Sequence, residues 1–183
     1  SVCREKGEYD TAISYHEQAV RIWLESLESD HPRIASAYHG TGLAYAGKGA
    51  FGRAIANYDA ALEIWLEKFG PDHHDVATCY NNLGLAHDNN GDHAKAITCH
   101  EKALTIRLKA LGAEHPDVAT SYNNLGSAYD NDTEYDKAIE NHGKALAIWL
   151  KTVGPEHPSV ATTYNNGGGA YSRKGDYEKA VKY

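Results

Sequence analysis

The chain repeats itself every 42 residues, and this periodicity limits the folds that it can adopt. A histidine marks the period, at His31, His73, His115 and His157. The complete repeats are 33–74, 75–116 and 117–158, and the partial repeats are 1–32 and 159–183. Self-similarity at such a period is typical of stacked supersecondary units that each contact their neighbours. The sequence therefore predicts one repeat array instead of a domain around a single core. Because it begins inside a repeat, we expect it to be a piece of a longer protein.

Each repeat is predicted to contain two helices. In the third complete repeat, apolar residues recur at helical spacing over about residues 118–131 and again over about 135–153. A glycine separates the two helices at Gly49, Gly91 and Gly175, where a left-handed residue suits a helix end. Thr133 replaces this glycine in the third complete repeat, and we expect it to strain or reshape the turn.

Small residues recur at one position of every first helix. They are Gly42, Gly84, Gly126 and Gly168. Glycine inside a helix costs about 1 kcal/mol relative to alanine, so its recurrence needs a steric reason. We expect these glycines to mark the contact between the two helices of a repeat.

The order of these residues resembles the tetratricopeptide repeat. In the third complete repeat the motif residues are Tyr122, Leu125, Gly126, Ala128, Tyr129, Tyr135, Ala138, Ile139, Ala145 and Leu146. The longer period and the stretch from His115 to Thr120 are similar to repeats of the kinesin-light-chain type. The resemblance implies an all-α, right-handed superhelical solenoid of antiparallel helix pairs, with about nine helices. It also implies a cytoplasmic, non-catalytic scaffold that binds a protein or peptide partner.

Asparagine pairs occur in three of the predicted first helices, although asparagine is a poor helix former. In the related proteins the first helices form the inner wall of the superhelix. The resemblance implies that the second asparagine of each pair holds the backbone of an extended peptide, because its amide both donates and accepts hydrogen bonds. These lead residues are Asn82, Asn124 and Asn166. The alternative is that one asparagine of each pair ties its helix to a neighbouring helix or is solvated.

The remaining candidate peptide-binding residues share the same face of the first helices. They are Asn81, Asn123, Asn165, Thr78, Thr120, Leu85, Ser127, Asp88, Asp130, Asn89 and Asn131. Leu85 and Leu43 could line a small apolar pocket or pack within the framework. The first complete repeat carries His39 and Gly40 in place of the asparagine pair.

The charge of this predicted wall limits the ligand. The wall is neutral to acidic, with Asp88 and Asp130 and with Arg173 as its base. Relatives that bind acidic peptides place lysine and arginine here, since charge-assisted bonds to carboxylates are strong. We therefore expect a neutral or basic peptide.

Other patterns in the sequence favour packing over chemistry. Neighbouring repeats place equivalent atoms roughly 10 Å apart, too far for the histidine column to bind one metal ion. A capping or turn role is predicted for that column, although His73 and His74 could catch an adventitious ion. Buried packing is predicted for a column on the second helices, which is His16, Tyr58, His100 and His142. No catalytic constellation or phosphate-binding loop is present, so we expect no enzyme activity, no cofactor and no metal site.

A tryptophan column on the second helices leaves two alternatives. Its members are Trp23, Trp65 and Trp149, with Arg107 at the fourth position. They could pack against the following repeat or form an exposed ridge for a partner. The cysteines Cys3, Cys79 and Cys99 are expected to be reduced and inert, without a basic neighbour to stabilise a thiolate.

Composition narrows the partners further. The net charge is −7 and no lysine or arginine cluster is present, which argues against nucleic acid. No apolar run approaches the roughly 20 residues that cross a bilayer, so a membrane is not expected. Partial repeats leave apolar faces uncovered, and uncapped solenoids tend to stack. End-to-end self-association is therefore the alternative function.

Overall fold

The computed structural model describes the backbone of residues 2–183 and the side chains from Gly7 onward, so the thiol of Cys3 lies outside the described residues. Nine α-helices and no strand are found in this part of the chain. The helices are α1 (Val2–Ser26), α2 (Pro32–Gly47), α3 (Phe51–Phe69), α4 (His74–Asn89), α5 (His93–Leu111), α6 (Pro116–Asn131), α7 (Tyr135–Thr152), α8 (Pro158–Lys174) and α9 (Tyr177–Lys182). The predicted all-α architecture is confirmed.

The helices fall into two compact units. The N-terminal unit is Ser1–Gly91 and contains α1 to α4; the C-terminal unit is Asp92–Tyr183 and contains α5 to α9. Within each unit, successive helices pack against one another as helical hairpins. First helices of adjacent repeats also touch, α2 with α4 in the N-terminal unit and α6 with α8 in the C-terminal unit.

A histidine caps each first helix. Nδ1 of His115 accepts a hydrogen bond from the backbone N–H of Asp117 at 3.1 Å, which satisfies a donor that the helix leaves unpaired. The same bond forms at the other three positions of the column, which are His31, His73 and His157. The predicted capping role is confirmed.

The turns between paired helices use the left-handed region of the backbone. Gly49, Gly91 and Gly175 have φ values of 76°, 86° and 88°, as their position predicts. Thr133 keeps the same conformation with φ 64° and is the one non-glycine with positive φ in residues 2–183. A β-branched side chain is disfavoured in this region. The turn therefore retains its shape, and Thr133 carries the expected strain.

Two of the recurrent glycines lie where the two helices of a repeat approach closely, whereas a Cβ on Gly168 would meet only the carbonyl of Ala180 at an ordinary 3.5 Å. A Cβ on Gly42 would stand 2.6 Å from Cε1 of Tyr58, and a Cβ on Gly126 would stand 2.8 Å from Cε1 of His142. Both distances are shorter than carbon atoms tolerate. The predicted steric role is therefore confirmed at these two positions. The rings of Tyr58, His100 and His142 are buried as predicted, whereas His16 is half-buried.

The tryptophan column belongs to the framework. Trp65 and Trp149 are buried, and the half-buried Trp23 packs against a cluster that includes Val20 and Ile34. Arg107, the fourth member, donates from Nη1 to the hydroxyl of Ser121 at 2.8 Å and to the carbonyl of Asp117 at 3.1 Å. These contacts favour the packing alternative.

Two of the three cysteines are described, and neither forms a disulfide. Cys79 is buried, and its Sγ donates to the carbonyl of Tyr58 at 3.2 Å. Cys99 is half-buried. Cys79 is shielded as predicted, whereas Cys99 is less shielded than expected.

Candidate functional site

The first helices of the N-terminal unit line an open cavity of about 330 Å³. Its walls are formed by Leu43, Ala46, Phe51, Tyr58, Asn82, Leu85, Ala86 and Asn89. Leu43 and Leu85 are 48% and 40% exposed, so they line the cavity instead of filling the core. This cavity combines an apolar floor with side-chain amides at its edge.

Asn82 links the two first helices beside this cavity. Its Nδ2 donates to Nε2 of His39 at 2.9 Å, and its Oδ1 accepts from Nδ2 of Asn81 at 3.4 Å. Burial lowers the pKa of His39 and so favours the neutral ring that can accept this bond. Asn81 is buried, while Asn82 remains half-buried.

The asparagine pair is absent from α2 for a steric reason. A Cβ on Gly40, which stands at the position of Asn82, would lie 2.7 Å from Cε1 of His16. The ring of His16 therefore occupies the space that a longer side chain would need. His39 takes the place of the first asparagine and serves as the acceptor for Asn82.

The first helices of the C-terminal unit line a larger open cavity of about 790 Å³. The predicted residues at its wall are Ser127, Asp130, Asn131, Asn165 and Asn166. Three tyrosines at the same wall were not among the predicted residues, and they are Tyr164, Tyr177 and Tyr183.

The sequence does carry a signal for two of these tyrosines. Tyr164 continues a tyrosine column of period 42, which is Tyr38, Tyr80, Tyr122 and Tyr164. Tyr177 stands at the repeat position of Phe51, and both line a cavity in their own unit. An aromatic residue at the start of the second helix was therefore the missed signal.

A hydrogen-bonded chain joins α8, α6 and α7 within the C-terminal unit. Nδ2 of Asn166 donates to Oδ1 of Asn123 at 3.4 Å, and Nδ1 of His142 donates to the same oxygen at 3.2 Å. Burial lowers the pKa of His142 to about 4, so the ring is neutral at pH 7. Asn123 thus acts as a tie between helices, as the alternative interpretation proposed for one asparagine of each pair.

The charges of the C-terminal wall pair with each other. Arg173 of α8 forms an ion pair with the buried carboxylate of Asp130 on α6. The base on the predicted wall is therefore engaged by an acid of the preceding repeat. Because these two charges offset each other, the electrostatic potential at this wall is closer to neutral than the sequence alone indicates.

The other predicted residues are spread over the first-helix faces. Thr120 and Asn123 line a separate cavity of about 210 Å³ beside Trp149. They therefore do not line the 790 Å³ cavity to which Ser127 belongs. Ser127 and Asn89 bond to carbonyls of their own helices. The half-buried members are Thr78, Asp88 and Asn124, and the exposed members are Asn89, Asn131 and Asn165.

Comparison with known proteins agrees with the array of helical hairpins described above. Tetratricopeptide repeat family models match residues 76–117, and also 1–58, 42–95 and 131–183. No curated protein matches the chain. No helix of residues 2–183 has the length and apolarity needed to span a bilayer.

Solved structures of repeat proteins superpose on most of the chain. The nearly identical TPR-like repeats of a Podosopora anserina protein described as a kinesin light chain are 27% identical, with a TM-score of 0.84 over 96% of this chain and 83% of that one. BtubC (BKLC) from P. vanneervenii is 27% identical, with a TM-score of 0.86 over 98% of this chain and 71% of that one. The apo form of RapI, at 20% identity and a TM-score of 0.79 over 97% of this chain and 47% of that one, shares the fold. The chain belongs to the tetratricopeptide repeat family of protein-interaction scaffolds, and its repeats are similar to those of kinesin light chains.

Proposed function

We propose that the chain is a non-catalytic scaffold that binds an extended peptide along its first helices. Asn82, Asn124 and Asn166 are the lead contacts to the peptide backbone. The observation that carries this proposal is the open cavity that each unit forms along the faces of its first helices, with a lead asparagine at the wall. An extended peptide presents one donor and one acceptor per residue, and a side-chain amide can pair with both.

The tie between helices leaves part of the Asn82 amide available. An amide nitrogen has two hydrogens and its oxygen has two lone pairs. Asn82 uses one hydrogen for His39 and one lone pair, at the long distance of 3.4 Å, for Asn81. One donor and one acceptor site therefore remain, and half-burial lets a peptide reach them at a modest desolvation cost.

The first asparagines Asn81 and Asn123 fit the proposal less well. Oδ1 of Asn123 already accepts from His142 and Asn166, and Asn81 is buried. We therefore assign Asn81 and Asn123 to the framework and the second asparagines to the ligand, and we keep Asn165, which is exposed at the C-terminal cavity, among the ligand contacts. This division gives a reason why the residues occur as pairs.

The cavities favour a neutral or basic peptide. Arg173 is the one base that lines the two larger cavities, and it is paired with Asp130. A strongly acidic ligand would find no free base at these walls to form charge-assisted bonds. The cavity of the N-terminal unit can hold one apolar side chain of the ligand against Leu43, Phe51 and Leu85.

A peptide-display selection on the full chain tests the proposal. The selected peptide is labelled, and its affinity is measured by fluorescence anisotropy for the chain, for Asn82→Ala and for the control Asn57→Ala. Asn57 donates to the carbonyl of Arg53 in its own helix α3, so its loss removes an amide outside the cavities. Losing a partly desolvated hydrogen bond of about 1 kcal/mol or more should weaken binding up to about tenfold in Asn82→Ala and leave Asn57→Ala unchanged.

The stability of Asn82→Ala shows whether Asn82 binds the peptide or holds two helices together. Alanine is the better helix former, which offsets the lost bond to His39, so the free energy of unfolding should change by less than about 1 kcal/mol. If Asn82→Ala unfolds more easily yet binds the peptide normally, Asn82 is a tie and the groove assignment is wrong.

Self-association is the alternative that a specific observation favours. Tyr15 and Ile22 on α1 are 68% and 58% exposed, and Val181 on α9 is 89% exposed. Light scattering against protein concentration distinguishes the two functions. A constant mass supports the peptide-binding scaffold, whereas a mass that grows without ligand supports stacking of copies.

A further inference from the structure

Three metal-ligating side chains converge at the start of α4. Oδ1 of Asp75 lies 3.2 Å from Nδ1 of His74, and Oδ2 of Asp75 lies 3.6 Å from Nδ1 of His73. One ligand atom from each residue lies within 4.8 Å of the other two. We propose that His73, His74 and Asp75 form a binding site for a divalent transition-metal ion of the zinc type.

The spacing of these atoms suits such an ion. Zinc binds imidazole nitrogen and carboxylate oxygen at about 2.0–2.2 Å in a tetrahedron, which places neighbouring ligand atoms about 3.3 Å apart. The separations of 3.2 and 3.6 Å are close to this value but involve different oxygens of Asp75, so the site forms once side-chain rotations bring both Nδ1 atoms and one of these oxygens around the ion. Two imidazoles with one carboxylate favour zinc over magnesium or calcium, which prefer oxygen ligands throughout.

This cluster arises from a departure of one repeat from the others. His74 stands where the remaining first helices begin with Pro32, Pro116 and Pro158. Proline is well suited to the first position of a helix, so helix formation does not explain the histidine. The sequence around His115 and Asp117 repeats the cap and the acid without a second imidazole, with Nδ1 and Oδ2 3.8 Å apart. The chain therefore contains its own control site.

Ring stacking keeps the two imidazoles near each other. The centroid of the His73 ring lies 4.3 Å from that of Phe69 and 4.3 Å from that of His74. Because an imidazole binds a metal ion in the plane of its ring, the ring of His74 must turn out of this stack before both Nδ1 atoms face one ion. The site is open, since the side chain of His74 is 79% exposed. Water can therefore complete the coordination.

Two features of the site oppose metal binding, and the effect of each is small. The N-terminus of a helix carries partial positive charge, which the carboxylate of Asp75 offsets. His73 Nδ1 also accepts the capping bond from the N–H of Asp75, at a long 3.3 Å. Ligation through Nδ1 replaces this weak bond with a metal bond.

Titration of the untagged full chain with zinc chloride in a calorimeter tests the site. We expect one site in the chain, and an affinity at least about tenfold lower in His74→Pro, because loss of a ligand should cost no less than loss of an outer-shell partner. Pro116→His recreates the three-residue cluster at residues 115–117 and should add a second site. Magnesium chloride should give no binding heat at either location.

The variants keep the proposal falsifiable. His74→Pro introduces the residue that the other repeats use, and circular dichroism checks its fold. Asp75→Asn should also weaken zinc binding and provides a second test. If His74→Pro and Asp75→Asn both bind zinc as the chain does, the ion is adventitious only and the site is refuted. If Pro116→His adds no second site, the three side chains do not suffice and the proposal is likewise overturned.

Discussion

Asn82 donates from Nδ2 to Nε2 of His39 across a distance of 2.9 Å, and this bond joins the first helices of two adjacent repeats. Asn166 makes the corresponding bond to Asn123 in the C-terminal unit. In both cases the second position of one repeat bonds to the first position of the preceding repeat. A row of amides that holds repeats together therefore also borders the cavities in which we propose that a peptide binds.

Ser127→Lys should shift the ligand preference toward acidic peptides. Ser127 lines the C-terminal cavity, and the nearby acid Asp130 is already paired with Arg173, so a new ammonium group remains available to the ligand. Affinities of an acidic and a neutral peptide are compared by anisotropy at low and high salt, with Ala147→Lys on the exposed face of α7 as the charge-matched control. An equal shift in both variants would show a general charge effect and would mean that Ser127 does not contact the ligand.

Gly126→Ala and Gly143→Ala should change stability in opposite directions. The new methyl group at residue 126 would clash with the buried ring of His142, which should cost about 1–3 kcal/mol. No atom lies within 4 Å of a Cβ at Gly143, inside α7, so alanine there should stabilise by about 0.5–1 kcal/mol. Urea denaturation measures both, and a lowered midpoint for Gly143→Ala would contradict the helix-interior argument.

Thr133→Gly should stabilise the protein by roughly 1 kcal/mol. A non-glycine residue in the left-handed region costs about 1–2 kcal/mol, and glycine removes this cost. The greater freedom of glycine in the unfolded chain offsets part of the stabilisation. Thermal unfolding measures the change. Gly91→Ala, at the equivalent turn with φ 86°, is the reciprocal control and should destabilise. No gain in Thr133→Gly would mean that the threonine side chain stabilises the turn through its own contacts.

Acid should destabilise the protein partly through His142. Its pKa is about 4 in the folded chain and about 6.5 when unfolded, so below pH 6.5 the unfolded state binds the proton first. Stability from the neutral ring is thus present at pH 7.5 and lost as the pH falls, by on the order of 2 kcal/mol at pH 5.

His142→Tyr isolates this effect. Tyr58 occupies the same column over Gly42, so the fold already accommodates a tyrosine over a glycine, and burial raises the pKa of Tyr58 to about 12. Urea midpoints at pH 7.5 and pH 5 should therefore differ less in His142→Tyr than in the parent chain. Equal differences would show that the proton is taken up elsewhere.

The sequence by itself determined the helical framework. The 42-residue period, the capping histidines and the left-handed glycines are local features, because each acts through bonds within a few residues of itself. The contact of Gly42 with Tyr58 was also foreseeable, since a costly glycine that recurs in a helix indicates a close neighbour. Fold and helix boundaries followed from these signals.

Only the tertiary structure decided what the polar residues do. Asn123 and Asn166 are separated by 43 residues in the sequence, and so are Asp130 and Arg173, yet each pair meets across adjacent repeats. A side-chain amide or carboxylate can bond to a peptide, to water or to a neighbouring helix with similar energy. Its role therefore depends on which group the packing of the helices brings within about 3 Å, and no local pattern encodes that distance.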